Sequence, residues 1–313
     1  MPLDPHVETL LAAFAAAGRP KVWELTPAEA RQGIVALAQA VDAKDVPIGR
    51  IEDGTWPAPG GPLAYRRYTP QGAAGETLPG LVYFHGGGFV IGSVETHEGL
   101  CRLLANASGA RVVSVEYRLA PEHRFPAAVE DGCAAIAWVA ENAPALGVDR
   151  ARIAVGGDSA GATLAAVVCQ YARDHGPRIA LQLLLCPATR LDADTASRRI
   201  FEDGFFLEAL SMEWFARHYV GSDTMPADPR LSPLLAADLS RLPEAHIHTA
   251  AFDPLRDEGK DYAGRLAQAG IAVRYTCHPG MIHHFYCMAG AIPYAHVAVA
   301  SMGAAVKAAL RTA

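Results

Sequence analysis

Apolar and polar positions divide the chain near residue 46. Residues from about 1 to 45 carry helical spacing with no strand-like alternation. Within them, Thr26-Pro27-Ala28-Glu29 reads as a helix start, with a capping hydroxyl, a proline at the first helical position and a glutamate three residues after the cap. From Val46 onward, short apolar runs alternate with helix-length stretches, the mark of β-α repetition around a mostly parallel sheet. The strand candidates are Gly49 to Trp56, Leu63 to Tyr68, Leu81 to Phe84, Arg111 to Tyr117, Arg152 to Val155, Ala180 to Leu185, His246 to Phe252 and Val273 to Cys277. The first two have no helix between them and should pair as an antiparallel hairpin; helix-length segments separate the later ones. About eight strands in an α/β domain, flanked by helices, are therefore expected over 46–313. Between Pro187 and Pro243 the pattern is irregular, yet Leu210 to Val220 has helical spacing with Trp214, Phe215 and Tyr219 on or near one face. An insertion after a sheet strand commonly forms a lid, so a cap insertion is expected near 188–225.

Composition agrees with a packed domain and narrows its partners. The 313 residues are 51% hydrophobic and 19% charged, enough apolar material for a large core. A formal charge of −6 and the absence of any Lys or Arg run argue against nucleic acid as a partner. The six cysteines, at 101, 133, 169, 186, 277 and 287, form no C-x-x-C pair and read as buried free thiols of a reducing compartment rather than zinc ligands. The apolar stretch Leu10 to Ala17 is preceded by Asp4 and Glu8 and by no Lys or Arg, which argues against a signal peptide. No apolar run is long and unbroken enough to span a bilayer, and a cytoplasmic protein is expected.

The chemistry starts at Gly157-Asp158-Ser159-Ala160-Gly161, which follows the strand ending at Val155 and precedes a helical run from about Ala160 to Asp174, closed by Gly176. A serine in such a turn occupies a strained position that projects its hydroxyl from the sheet, and small residues on either side let strand and helix approach. The helix then aims its first N–H groups at the reaction site. Glycine-rich turns with inert serines are common; the strand-to-helix setting is what favours a nucleophile.

His85-Gly86-Gly87-Gly88-Phe89 follows another core strand, at the sheet edge where α/β ligand sites lie. Glycines there leave backbone N–H groups open to a substrate oxygen, so the N–H groups of Gly87, Gly88 and Ala160 are assigned as the oxyanion hole. His85 and Gly86 are read as loop support, with His85 hydrogen-bonding inside the loop. Gly86, Gly88 and Gly92 with Glu116 loosely imitate a dinucleotide-binding unit, but Ile91 stands where the third glycine belongs. No cofactor and no metal are expected.

A serine nucleophile needs an imidazole base and a carboxylate to orient it, in the chain order serine, acid, histidine. Asp253 sits at the end of the strand His246 to Phe252; Asp257 and Glu258 fit the first turn of the following helix instead. The base belongs after the last strand, where spacing alone does not separate His283 from His284 or His278.

Taken together, His85 to Phe89, Tyr117 to Ala128 (YRLAPEHRFPAA), Gly157 to Gly161, Asp253 to Glu258 (DPLRDE) and Gly280-Met281-Ile282-His283 resemble the hormone-sensitive-lipase-like carboxylesterases, bacterial family IV, of the α/β-hydrolase superfamily. The resemblance implies an α/β-hydrolase fold with Ser159 as nucleophile, Asp253 as acid and His283 as base. It also implies that residues 1–45 and the 210–220 helix cap an acyl pocket for short- to medium-chain esters. In that family a glycine usually follows the catalytic histidine, where this chain has His284, and Ala162 replaces a second glycine after the nucleophile turn. The Tyr117 to Ala128 stretch is read as structural. A homodimer through the last strand is expected by analogy, since an uncovered edge invites pairing. The alternative, a non-catalytic small-molecule-binding protein on the same fold, is disfavoured by the presence of His283.

Overall fold

The computed structural model describes residues 2–73, 76–221 and 226–311, so positions 222–225 of the expected insertion lie outside the described residues. The chain opens with two helices. In α1 (Pro5–Ala17) the Asp4 carboxylate accepts from the His6 N–H at 2.8 Å, and Gly18 ends the helix in the left-handed region. A short 3-10 turn at Val22–Glu24 leads to α2 (Pro27–Val41), which starts on the expected capping box: Thr26 accepts from the Glu29 N–H, and the Glu29 carboxylate accepts from the Thr26 N–H at 2.9 Å.

The remaining elements are β1 (Arg50–Ala58), β2 (Gly61–Thr69), β3 (Leu78–Phe84), α3 (Glu98–Ser108), β4 (Arg111–Val115), α4 (Ala127–Glu141), α5 (Ala143–Leu146), β5 (Val148–Asp158), α6 (Ala160–His175), β6 (Leu181–Leu185), α7 (Ala196–Ile200), α8 (Ala209–Tyr219), β7 (Glu244–Phe252), α9 (Arg256–Gln268), β8 (Val273–Ile282) and α10 (Tyr294–Arg311). The sheet has eight strands in the order β1-β2-β4-β3-β5-β6-β7-β8. β1 and β2 form the expected antiparallel hairpin, β2 meets β4 antiparallel, and every pair from β4 to β8 is parallel.

Alternate residues of each central strand enter different cores. Val82 and Phe84 of β3 enter the core shared with α4, α6 and α9, whereas Leu81 and Tyr83 enter the core shared with α3 and α10. With both faces covered, all four are fully buried, which is why β3 reads as an unbroken apolar run rather than an alternation.

The ends of the elements differ from the sequence expectation. β5 begins at Val148, four residues before Arg152, because Leu78 pairs with Val148 across an irregularity, and it continues through Gly156 and Gly157 to Asp158. β4 stops at Val115, two residues short of Tyr117. β8 continues past Cys277 to Ile282, its register shifting where Phe252 pairs with Ile282. Gly176 does cap α6, but with extended backbone, its N–H reaching the Ala172 carbonyl at 3.0 Å. The cysteine expectation is corrected at one position: five thiols are buried, whereas Cys277, on the outer part of edge strand β8, is exposed. No helix among the described residues is long and apolar enough to cross a membrane.

Candidate active site

Ser159 stands between the last residue of β5 and the first of α6, at φ 52° and ψ −121°. A residue with a Cβ is strained there, and the surrounding structure must hold it. It does so through the Ser159 N–H, which donates to the Leu185 carbonyl at 2.8 Å, and through Gly161, where a Cβ would run into the Phe84 carbonyl oxygen. The helix can therefore start close against β3.

Asp253 follows β7 and His283 follows β8, so parallel neighbours deliver both to the carboxyl edge where β5 delivers Ser159. His283 Nδ1 lies 2.8 Å from Asp253 Oδ2, and His283 Nε2 lies 3.0 Å from Ser159 Oγ. The second carboxylate oxygen of Asp253 accepts from the Leu255 N–H at 2.8 Å. Both Asp253 and His283 are buried. Burial works against an imidazolium at His283, but the charge and hydrogen bond of Asp253 outweigh it and raise its pKa above the ordinary imidazole value. With Nδ1–H donated to Asp253, Nε2 is left to accept the serine proton. Neither His284 nor His278 takes this place: His278 Nε2 meets His248 at 3.1 Å, and His284 turns toward Asp158.

Gly87 has φ 118°, a conformation that favours glycine. Among the described residues, no hydrogen bond uses the N–H of Gly87, Gly88 or Ala160, which leaves these donors available to a ligand. The loop behind them is held from several sides. His85 Nδ1–H donates to the Gly86 carbonyl at 2.8 Å, and Tyr117 stacks on the His85 ring at 4.4 Å while its hydroxyl donates to the His85 carbonyl at 2.7 Å. From α2, Arg31 donates to the Val90 and Ala120 carbonyls, each at 2.9 Å, and forks onto Glu122, holding that carboxyl down at about 2. The Tyr117 to Ala128 stretch thus braces the loop. Glu116, which a dinucleotide site would spend on a ribose, accepts from the Val94 N–H at 3.0 Å within this same region.

Helices α7 and α8 fall between β6 and β7. Trp214 and Tyr219 are buried in the core, and Tyr219 stacks on Phe89 at 4.1 Å. Phe215 presses on Gly88, and Phe206 stacks on His284 with centroids 6.0 Å apart and planes 9° apart. Phe14 of α1 meets Phe206 at 6.0 Å, and Lys21 Nζ pairs with Glu208 at 2.7 Å, so the amino-terminal segment and the insertion touch beside the site.

Sequence reasoning missed what surrounds Asp158. This buried carboxylate accepts from the Tyr83 hydroxyl at 2.9 Å and the Gly86 N–H at 3.0 Å, with His97 Nε2 at 3.2 Å and His284 Nδ1 at 3.5 Å. Burial opposes its charge, but His97 and His284 more than offset this and hold it well below the usual carboxylate range. The only signal in the chain was its place beside Ser159; His97 lies 61 residues away.

Comparison with known proteins gives four matches. A family profile described as the α/β hydrolase fold matches residues 81–287. The carboxylic ester hydrolase LipN of Mycobacterium tuberculosis is 46% identical over 257 residues, which is 80% of this chain and 68% of that protein. Among solved structures, an ester hydrolase from the metagenome of Lake Arreo, complexed with a bipyridine phosphonate derivative, superposes with a TM-score of 0.95 at 44% identity, covering 98% of both chains. The hyperthermophilic esterase of Pyrobaculum calidifontis superposes at 0.93 with 44% identity, covering 98% of this chain and 99% of its own.

Proposed function

The chain belongs to the α/β-hydrolase family and is a serine carboxylesterase, and we propose that it hydrolyses esters of short- to medium-chain acids through Ser159, His283 and Asp253. One observation carries the assignment of roles: the continuous relay from Ser159 Oγ to His283 at 3.0 Å and on to Asp253 at 2.8 Å. His283 Nε2 takes the serine proton as Oγ attacks the ester carbonyl carbon. The oxygen that gains the electron pair is received by the N–H groups of Gly87, Gly88 and Ala160. Collapse of this tetrahedral species breaks the bond to the alcohol oxygen, which leaves with the proton from His283. Water then attacks the acyl-serine, giving its proton to His283, and the acid departs as Ser159 is reprotonated. Asp253 keeps its charge throughout.

The chain-length reading is supported by Phe206 and Phe215, aromatic rings that stand beside His284 and Gly88, next to the base and the oxyanion loop. Residues 1–45 act with α7 and α8 as the cap, a role supported by the Lys21–Glu208 pair. The free, mostly buried thiols suit a reducing, cytoplasmic setting. Two copies pair through the exposed edge of β8.

The decisive experiment is Ser159→Ala with a series of p-nitrophenyl esters and a fluorophosphonate probe. The parent should be labelled and should turn over acetate to hexanoate esters faster than long-chain ones, and the variant should do neither. Turnover by the alanine variant would remove Ser159 from the mechanism. An unlabelled parent would favour a binding protein.

A further inference from the structure

Below the nucleophile turn, four side chains with metal-binding atoms converge from three parts of the chain. They are His97 before α3, Asp158 at the end of β5, and His284 and Cys287 from the segment after β8, with one donor atom of each within 4.8 Å of all the others. His97, Asp158 and Cys287 are buried, while His284 keeps 13% of its side chain exposed and so leaves a way in. The separations of His97 Nε2 and His284 Nδ1 from Asp158 Oδ2, 3.3 and 3.5 Å, match the edges, about 3.3–3.7 Å, of a tetrahedron whose centre is bonded to N, O and S donors at the usual zinc distances.

The surrounding groups are arranged as outer partners of ligands. His97 Nδ1 lies 2.9 Å from Thr96 Oγ1 and 3.3 Å from the Ser93 carbonyl, so its proton can be given there and the Nε2 lone pair turned inward. Asp158 Oδ1 is held by the Tyr83 hydroxyl and the Gly86 N–H, which leaves Oδ2 facing the two imidazoles. His284 sits at φ 66°, where a Cβ is unfavourable, and its stacking on Phe206 fixes the ring with Nδ1 toward Asp158.

We propose that His97, Asp158, His284 and Cys287 form a binding site for a tetrahedral divalent cation of the zinc class. Two neutral imidazoles, one carboxylate and one thiolate balance the two positive charges, so the filled site carries no net charge into the interior. The nitrogen and sulfur donors select such an ion over magnesium or calcium. Binding releases the Cys287 thiol proton to solvent, and the ion ties the nucleophile turn to the loop that carries the base.

The test uses the full chain, freed of metal and kept reduced without a chelating thiol, titrated with Co²⁺. One Co²⁺ per chain should give intense tetrahedral ligand-field bands and a thiolate-to-cobalt charge-transfer band, both bleached by Zn²⁺. Cys287→Ser should lose the charge-transfer band. His284→Gly, which places glycine where φ favours it, should bind Co²⁺ roughly tenfold more weakly or worse. Cys277→Ser, which removes the exposed thiol, should leave the spectrum unchanged. Weak octahedral bands in the parent would overturn the proposal on their own, whatever the variants' folding. So would bands that survive both Cys287→Ser and His284→Gly, or bands abolished by Cys277→Ser.

Discussion

At the scale of single residues, the geometry around Asp253 predicts what its amide would do. The Leu255 N–H donates to one carboxylate oxygen and His283 Nδ1 faces the other. An asparagine must keep its oxygen on Leu255, which turns its NH₂ toward Nδ1. His283 would then carry its proton on Nε2, pointing at Ser159 instead of accepting from it. Asp253→Asn should therefore fold normally yet lose about 10⁴-fold in kcat, the size of effect a wrong tautomer produces in serine hydrolases. Steady-state kinetics with p-nitrophenyl acetate, beside a thermal melt, measures both; a loss under tenfold would mean that Asp253 does not set the tautomer. Residues of this kind differ in how far the sequence exposes them. Ser159 and Asp253 follow recognisable strands, so their location could be read. His278, His283 and His284 share one short segment, and spacing does not separate them. Backbone direction does: His283 reaches Ser159, His284 at φ 66° turns to Asp158, and His278 meets His248.

At the scale of elements, β7 and β8 carry a pH dependence. His248 and His278 share a hydrogen bond across the two strands, and burial pushes their pKa values down to about 3 and about 4. In the unfolded chain each takes up a proton as pH falls through 6.5, whereas the folded pair resists until much lower pH. Their neutral burial thus costs nothing above pH 7 and removes about 2 kcal/mol of stability for each histidine by pH 5. Urea unfolding at pH 7.5 and 5 should show that loss shrinking by a few kcal/mol in the His248→Leu/His278→Phe double variant; equal losses in parent and variant would refute it. The elements proposed as the cap carry a second expectation. Phe206→Ala opens the wall over His284, so the preferred acyl chain should lengthen in a p-nitrophenyl ester series, and an unchanged profile would place Phe206 outside the pocket. Element ends were harder to read than elements. The start of β5 was hidden because Asp149, Arg150 and Arg152 look like a polar turn, although Arg152 and Asp149 simply pair on the strand surface. Its end was hidden because Gly156, Gly157 and Asp158 carry no strand signal while pairing with Leu183, Leu184 and Leu185.

At the scale of the whole molecule, an eight-stranded sheet has two edges, and they are defended differently. β1 carries Arg50, Glu52, Asp53 and Pro57, charges and a proline that discourage pairing with another chain. The outer part of β8, Val273 to Cys277, offers only Arg274 as a charge and exposes Arg274, Thr276 and Cys277, while Pro279 ends the available edge. Two copies related by a two-fold axis would join these segments antiparallel, continuing the sheet from one molecule into the next. Their carboxyl edges would then point in opposite directions, leaving both sites open. Light scattering after gel filtration should find a dimer at micromolar concentration, and Cys277→Pro, which removes an N–H that the register turns away from β7 and fixes φ, should give a monomer that keeps its esterase activity. A monomeric parent would exclude the β8 pairing. A dimer that survives the proline would move the interface to another face, since an edge-to-edge ladder does not tolerate its loss.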